Sequence, residues 1–326
     1  MPSFSEENQK SVRHIEWFGQ IWIYLGKLFR IFINEGNWKV FPMAVIVSCI
    51  VSVVVDNVFV NMEGTQVGAL AFACVCIWNG FFNSIQSVCK ERPIIKREHR
   101  AGMHIASYII AHMIYQMVLC LGQTLIQLVV YHFLVSNRFP FPTAGPVTGN
   151  FYVDFGITLF VITYAADMMA LMVSCIVKTT TAAMTVVPFL LIIQLIFSGV
   201  AFTLKGVVDK ISYLTISRWG IRTICTVGNF NSLPSITLYA AVNKLTTVPE
   251  IRMIYKYIRE SEIWNMIGDA STKTMMNAEY VYTAQNVYLE WGVLMGMALL
   301  FALIGGLFLT RIDKDGREQT NHTHVL

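Results

Sequence analysis

The stretch "FYVDFGITLFVITYAADMMALMVSCIV" (Phe151–Val177) decides the fold of this chain. Only two of its residues are charged, and almost all of the others are apolar or small. A helix needs roughly 20 mostly apolar residues to cross the hydrocarbon core of a bilayer. The stretch is therefore long enough for one membrane-spanning helix.

Further segments of the chain share this character. Charged side chains make up only 13% of the 326 residues, about half the share of an ordinary soluble domain, and mean hydropathy is +0.55. The segments lack the alternating pattern, about ten residues long, of barrel strands. The sequence predicts an all-α integral membrane protein with six transmembrane helices, near Val40–Val60, Val67–Val88, Ile105–Val135, Phe151–Val177, Ala182–Ala201 and Val293–Leu309.

These segments divide the chain into three parts. We expect a cytoplasmic segment with an amphipathic interfacial helix at 1–39, a six-helix transmembrane domain at 40–310, and a cytoplasmic tail at 311–326. A long outer loop, at about 203–286, separates helices five and six. Its mixed charge and aromatic residues predict a soluble character, with short helices around Val248–Ser261 that begin at a Pro-Glu pair.

Lysine and arginine in short loops predict how a chain is oriented in the membrane. The loop after helix two is strongly basic, whereas the loop after helix one has no basic residue and the loop after helix three has only Arg138. The N-terminal segment and the tail are basic as well. We therefore expect a multi-pass protein of the plasma membrane with both termini in the cytoplasm, on the same side as Lys90, Arg92, Lys96, Arg97 and Arg100.

The N-terminal segment has a clear helical period over Arg13–Asn34. Polar residues form one stripe, and tryptophan, phenylalanine, isoleucine and leucine fill the rest. A basic, aromatic amphipathic helix is typical of one that lies in the plane of the membrane interface. The alternative is an ordinary surface helix of a small cytosolic domain.

The loop "KERPIIKREHRAGMH" (Lys90–His104) carries more than a simple positive anchor requires. Glu91 and Glu98 are seven residues apart, about two helical turns, so both carboxylates share one face of a helix. The loop is interpreted as a short amphipathic helix that docks a mixed-charge face onto something else. The alternative is a solvated anchoring loop.

The seven cysteines are interpreted as small apolar side chains rather than as a disulfide framework. Six lie in or beside apolar segments, and Cys225 alone falls in the outer loop, where it has no cysteine to pair with. The pattern also contains no metal-ligand spacing and no nucleophile with a base, so we expect no metal site and no catalytic residue.

Three stretches, in this order, resemble the membrane domain of G-subfamily ABC transporters and their bacterial relatives. The stretch "NGFFNSIQSVCKERPIIKREHRAGMHIASYI" (Asn79–Ile109) is similar to that family's second helix and first cytoplasmic loop. The stretch "YAADMMALMVS" (Tyr164–Ser174) is similar to its fourth helix, and "LIFSGVAFTLKGVVDKISYLTISRWGIRTI" (Leu195–Ile224) to the end of its fifth helix and the segment after it.

The resemblance implies that the charged loop is a coupling helix, which rests on an ATP-binding subunit and passes its motion to the membrane helices. Carried over to this sequence, Glu91, Arg92, Arg97 and Glu98 are the residues of that contact. No G-x-x-x-x-G-K-[ST] phosphate loop occurs in the sequence. The resemblance therefore implies an ABC ATPase, separate or fused, that carries the ATP and Mg²⁺, so that this chain is not itself an enzyme. It also implies a homodimer or a heterodimer with a related permease, and no nucleic acid partner.

The family's cargo pathway lies on the dimer axis between helices two and five. Mapped onto this chain, it comprises Asn79, Phe82, Asn83 and Gln86 from helix two, and Ile192, Leu195 and the plug residue Val200 from helix five. An apolar slot with a few amides suits amphipathic or lipid-like cargo better than ions. The function that the resemblance implies is ATP-driven export of such a substrate. For any of the apolar residues taken singly, ordinary helix packing or lipid contact is the alternative.

Asp167 departs from the family pattern, which has a small polar residue at this place. A charged side chain inside a membrane helix is costly and is either functional or tied to a polar partner. One interpretation is a proton or cation site, and the other is a hydrogen-bonded residue that joins helix four to its neighbours. His112, Gln116, Gln123 and Gln127 follow one stripe of helix three and are its candidate partners.

Two further functions stay open at this point. The first is a secondary carrier that uses Asp167 as a proton site; inverted repeats and broken helices, which are typical of such carriers, are not evident. The second is a non-transporting membrane partner of a signalling complex, with the charged loop as its docking surface.

Overall fold

The computed structural model of the chain describes residues 16–202, 204–236 and 252–311. Within these ranges the chain is helical and contains no strand, which confirms the prediction of an all-α protein. The helices are α1 (Trp17–Asn34), α2 (Val40–Val54), α3 (Met62–Ser84), α4 (Ser87–Arg100), α5 (Ile105–Leu134), α6 (Phe151–Ile176), α7 (Thr180–Ile196), α8 (Val207–Ser212), α9 (Ile216–Val227), α10 (Arg252–Glu260), α11 (Ile263–Met275) and α12 (Ala284–Leu309).

Five helical stretches are long and apolar enough to cross a membrane: Asn37–Val54, Met62–Arg100, Ile105–Leu134, Phe151–Ile176 and Ala284–Leu309. The second of them joins α3 to α4 with only two residues between the helices. The remaining predicted span corresponds to α7, which is apolar but has 17 residues, fewer than the roughly 20 that a straight crossing requires. The chain is a multi-pass membrane protein, and a sixth crossing stays a prediction.

Side-chain caps set the beginnings of four of these helices. The side chains of Asn61, Asn150, Thr179 and Thr283 each accept a hydrogen bond from a backbone N–H two or three residues further on. Such caps satisfy donors that have no partner inside the helix. They place the start of α3 at Met62 rather than at the predicted Val67, and the start of α12 at Ala284 rather than at Val293.

The first membrane helix ends earlier than expected. Helix α2 stops at Val54, whereas the prediction extended the segment to Val60. Asn57 and Phe59 have φ angles of 51° and 59°, so the chain turns sharply there. The turn points the ring of Phe59 at the rings of Phe141, Phe151 and Phe155, with centroids 5.1–6.0 Å apart. Packing within this aromatic cluster thus overrides the apolar run that the sequence shows.

Helices α3 and α6 form the centre of the bundle and run in the same direction. Phe72 lies against Phe155 near one end, and Val88 lies against Ser174 at the other. Between them, a Cβ atom on Gly80 would collide with the backbone of Thr163 and Asp167. Helices α5, α9 and α12 pack around this pair. The close approach at Gly80 fixes which face α6 turns toward α3.

The segment after α7 does not have the soluble character that the sequence suggested. Helix α9 packs against α3, α6 and α12, and nine of its twelve residues are buried. Cys225, assigned to a solvated loop, is fully buried in α9, and all seven cysteines are free thiols. The expected helix around Val248–Ser261 corresponds to α10, although its predicted Pro-Glu start lies outside the described residues.

Helix α1 lies along α5 rather than apart from the bundle. Ile21, Leu25 and Leu28 are buried against α5, where they meet Tyr115 and Leu119. The opposite side of α1 exposes large apolar side chains, among them Trp22 at 72%. One face for protein and one exposed apolar face fit the predicted interfacial helix, whose first predicted residues, 13–15, lie outside the described ranges.

Candidate functional site

The charged helix α4 is fastened to the end of α6. The hydroxyl oxygen of Ser174 accepts hydrogen bonds from the backbone N–H groups of Val88 and Cys89, both at 3.1 Å. The guanidinium of Arg92 donates to the carbonyl oxygens of Cys175 and Val177, at 3.2 and 2.9 Å. These bonds satisfy donors in the first turn of α4 and carbonyls in the last turn of α6. A displacement of α4 is therefore passed directly to α6.

The carboxylates of α4 face helix α1. Lys27 lies 3.3 Å from Glu91 and 3.5 Å from Glu98, and the hydroxyl of Tyr24 donates to Glu98 at 3.1 Å. Burial and the negative charge of Glu98 raise the pKa of Tyr24 well above its usual value, so the phenol stays a donor. The sequence interpretation placed both glutamates on one face, and the structure directs that face at the chain's own interfacial helix.

The opposite side of α4 is turned outward. Pro93, Ile94, Arg97 and Arg100 are exposed and recur at intervals of three or four residues or fewer, so they lie along one strip of the helix. We call these four residues the outward strip. It combines a basic character with an apolar centre, since Ile94 is 40% exposed. Of the four predicted coupling residues, only Arg97 belongs to it.

Beside α4 is a cavity of about 560 Å³, which we call the charged-end cavity. It lies between α1, the ends of α3 and α4, and α5. Three of the predicted cargo residues line it, namely Phe82, Asn83 and Gln86, together with Glu91. Two buried side chains of α5, His112 and Gln116, also line it. The cavity therefore reaches from charged side chains down to polar groups inside the bundle.

A smaller cavity of about 230 Å³ lies on the other side of Phe82, between α2 and α3. It is lined by Asn79, Phe82 and Asn83 and by Trp78 and Gln123, among others. The amides of Asn83 and Gln123 pair reciprocally, at 2.8 and 3.0 Å. The structure thus brings all four predicted residues of α3 together along two neighbouring cavities.

The predicted pathway residues after α6 lie elsewhere. Ile192 and Leu195 are 51% and 41% exposed on the surface of α7, and Val200 is partly buried against the main core. None of the three lines either cavity. Within one chain they do not meet Asn79 or Phe82, so their place in a shared pathway stays a prediction that requires a second subunit.

Asp167 is fully buried and has a partner that sequence reasoning missed. The thiol of Cys120 donates to its Oδ2 atom at 3.2 Å, while Oδ1 has no partner in the described part of the chain. None of the four predicted partners is its hydrogen-bond partner, although all four are buried along the same side of α5. The positions 112, 116, 120, 123 and 127 form one helical stripe, so the spacing contained the signal.

At the far end of the bundle, an ion pair joins α9 to α12. Arg222 Nε lies 2.7 Å from Glu290 Oε1, and Glu290 is fully buried. The same carboxylate oxygen accepts a hydrogen bond from Thr226, and the Arg222 guanidinium also donates to Asn286. Sequence reasoning missed Glu290 because the predicted sixth segment began three residues after it, at Val293. Within the described ranges, no three His, Cys, Asp or Glu side chains come close enough to hold a metal ion.

Comparison with known proteins identifies relatives of the chain. The model of the family described as "ABC-2 type transporter" matches residues 20–227, well over half of the sequence. The ABC transporter ATP-binding/permease protein Rv1747 of Mycobacterium tuberculosis is 30% identical over 151 residues, which are 44% of this chain and 16% of that protein. The broad substrate specificity ATP-binding cassette transporter ABCG2 of Sus scrofa is 23% identical over 200 residues, 58% of this chain and 29% of that protein. The chain thus matches less than a third of the length of either relative.

Proposed function

The chain belongs to the ABC-2 type transporter family, as the resemblance of its sequence predicted, and we propose that it is the membrane subunit of an ATP-driven exporter. An ABC ATPase, separate or fused, binds ATP and Mg²⁺ and supplies the energy. The observation that carries the proposal is the double attachment of α4, to α1 through Lys27 and to α6 through Ser174 and Arg92. A helix attached to two others at the end of a bundle can transmit a push as a rigid element.

The outward strip is the surface we assign to the ATPase. Pro93, Ile94 and Arg97 project away from the bundle, so a partner can reach them without unfolding α4. Basic residues around an apolar side chain suit a partner surface that is acidic around an apolar pocket. Glu91 and Glu98 support this contact from behind, because their pairs with Lys27 set the position of α4.

The substrate we propose is amphipathic or lipid-like. The support comes from the two cavities along α3, which combine amides with aromatic and aliphatic side chains and open beside the membrane helices. Asn79, Phe82, Asn83 and Gln86 contact the substrate from this chain. A second copy or a related permease completes the pathway with Ile192, Leu195 and Val200, which lie on the exposed side of α7 and the turn after it.

For orientation we propose that α4 and both termini are cytoplasmic, in a plasma membrane. Helices α2, α5 and α7 then run outward from the charged end, and α3, α6 and α12 run back toward it. The support is the concentration of basic residues at the α4 end, which the positive-inside rule places in the cytoplasm.

Reconstitution tests the proposal. The chain is expressed with a nucleotide-binding partner that co-purifies in gentle detergent, and the complex is placed in vesicles with a fluorescent phospholipid or a hydrophobic dye as the probe. ATP-dependent movement of the probe, abolished in a partner that binds but does not hydrolyse ATP, is the expected result. Movement that a proton gradient drives without ATP, and that Asp167→Asn abolishes, would instead establish the secondary carrier. Asp167 lines neither of the two cavities, which favours the exporter.

A further inference from the structure

We propose that the charged-end cavity binds one membrane glycerophospholipid by its phosphodiester, as a resident ligand between α1 and α4 rather than as cargo. The inference concerns His112, Gln116 and Lys39, none of which belongs to the predicted cargo pathway. It does not depend on whether the chain exports anything.

The inner end of the cavity contains polar groups that require a partner. His112 and Gln116 are each 1% exposed and line the cavity. Both ring nitrogens of His112 and the Oε1 atom of Gln116 have no hydrogen-bond partner in the part of the chain that the structure describes. Buried polar groups without partners are unfavourable, so natural structures seldom leave them so. A ligand or ordered water that reaches the inner end of the cavity satisfies them.

The outer end of the cavity is positively charged. Lys27, Lys39 and Lys90 line it, against Glu35 and Glu91. Lys27 pairs with Glu91 and Lys90 with Glu35, at 3.3 and 2.6 Å. Lys39 is exposed and takes no part in these two pairs. One cation in excess at the entrance attracts a group with a negative charge, and a phosphodiester carries one such charge.

The walls between these ends are apolar. Leu28, Ile31 and Leu119 line the cavity together with the ring of Tyr115. His112 and Gln116 lie two and three turns into α5, counted from its start at Ile105 at the charged end. The order from entrance to interior is thus cation, apolar wall and hydrogen-bonding groups. A glycerophospholipid offers a phosphate, then ester groups that accept hydrogen bonds, with acyl chains beside them.

The size and position of the cavity fit such a ligand. Its volume of about 560 Å³ lies within the range of roughly 300–1,000 Å³ that is typical of small-molecule sites. Helix α1, which forms one wall, exposes Phe18 and Trp22 at 68% and 72%. Exposed aromatic side chains on an amphipathic helix are typical of the headgroup level of a membrane, where phospholipids are at hand. This location favours a lipid phosphate over a phosphate from solution.

Native mass spectrometry of the full chain tests the inference. The chain is purified in neutral detergent and titrated with palmitoyl-oleoyl phosphatidylglycerol, and in parallel with the diacylglycerol of the same acyl chains, which lacks the phosphate. One phosphatidylglycerol is expected to bind with high affinity. Lys39→Glu should weaken its binding about tenfold or more, because the variant loses a charge-assisted contact and places an anion at the entrance. Binding of diacylglycerol should be weak and unaffected by Lys39→Glu.

Matched variants separate the site from general effects. Lys205→Glu makes the same charge change at an exposed lysine beyond α7 and should leave the affinity unchanged. His112→Leu should also weaken binding at least several-fold; if that variant does not fold, Gln116→Leu tests the same end of the cavity. Equal losses in Lys39→Glu and Lys205→Glu would overturn the inference. So would diacylglycerol that binds as tightly as phosphatidylglycerol.

Discussion

Ion pairs join helices at both ends of this bundle, but in different surroundings. At the far end, Arg222 and Glu290 have side chains that are 15% and 0% exposed. At the charged end, Lys27 is 28% exposed, and its partners Glu91 and Glu98 are 15% and 29% exposed. A buried pair that loses one partner leaves a charge without compensation, whereas water and salt partly replace an exposed partner.

The difference indicates which end can move. The far end is fixed, since any separation of α9 from α12 would strand the carboxylate of Glu290 inside the protein. The charged end can rearrange, because Lys27 reaches two carboxylates and water reaches all three side chains. A lever that receives force from a partner should be placed where its contacts can exchange at low cost, and α4 is so placed.

Substitution of Glu290 should have the largest effect on stability. Glu290→Leu leaves the guanidinium of Arg222 without its carboxylate, and we expect a loss of about 3–5 kcal/mol in the free energy of unfolding. Thermal unfolding of the purified chain in detergent measures it. Gln285→Leu, at an exposed position of the same helix, is the control and should have little effect. The double variant Arg222→Leu, Glu290→Leu should recover a large part of the loss; a double variant as unstable as the single one would show that the pair itself is not the cause.

The next effect concerns the packing between the two ends. Gly80→Ala places a methyl group against the backbone of Thr163 and Asp167, where neither side can move away. Overpacking of this kind costs roughly 1–3 kcal/mol. Gly296→Ala is the matched control, since nothing lies within 4 Å of the added atom and alanine favours the helix. The melting temperature should fall for the first variant and stay level or rise for the second. Equal shifts would mean that α3 and α6 are not in close contact in the membrane.

The sequence was sufficient to predict the helices but not their ends. Apolar runs and composition predicted an all-α membrane protein, and the segment Ile105–Val135 differs from α5 by a single residue. At Phe59 the run of apolar residues continues while the helix does not, because the ring turns into an aromatic cluster that is distant in sequence. Long-range packing of this kind has no local signal.

The candidate site was predictable in part, for the same reason. The seven-residue spacing placed Glu91 and Glu98 on one face of α4, and that face is common to both in the structure. Nothing in the spacing says which surface the face meets, so a contact with another subunit and a contact with Lys27 were equally compatible with it. Glu290 and Cys120 were missed although their positions carried usable signals: a charge just before an apolar run, and a place on a polar stripe.

Exchange of charges across the α1–α4 contact should alter stability less than either change above. Glu91→Lys places two cations together, and we expect a loss of no more than about 1 kcal/mol, because the pair is partly exposed. In a complex with its ATPase, the variant should nevertheless lower transport per ATP hydrolysed. Adding Lys27→Glu restores opposite charges and should restore coupling. If the double variant stays uncoupled while both variants remain folded, Glu91 acts on a partner and not on Lys27.

The smallest effect on stability is expected at the outward strip. Arg97 is exposed, so Arg97→Glu should change the free energy of unfolding by no more than about 0.5 kcal/mol, as is usual for surface substitutions. The same variant should weaken capture of the nucleotide-binding partner in a detergent pull-down. Lys210→Glu, at an exposed lysine of α8, makes the same charge change at the far end of the bundle and should leave capture unchanged. Because Arg97 faces outward and Glu91 faces α1, the two substitutions should separate binding from coupling: Arg97→Glu loses the partner, whereas Glu91→Lys keeps it and loses transmission. A partner that both variants bind normally would remove α4 as the contact and leave the charged end as a membrane anchor.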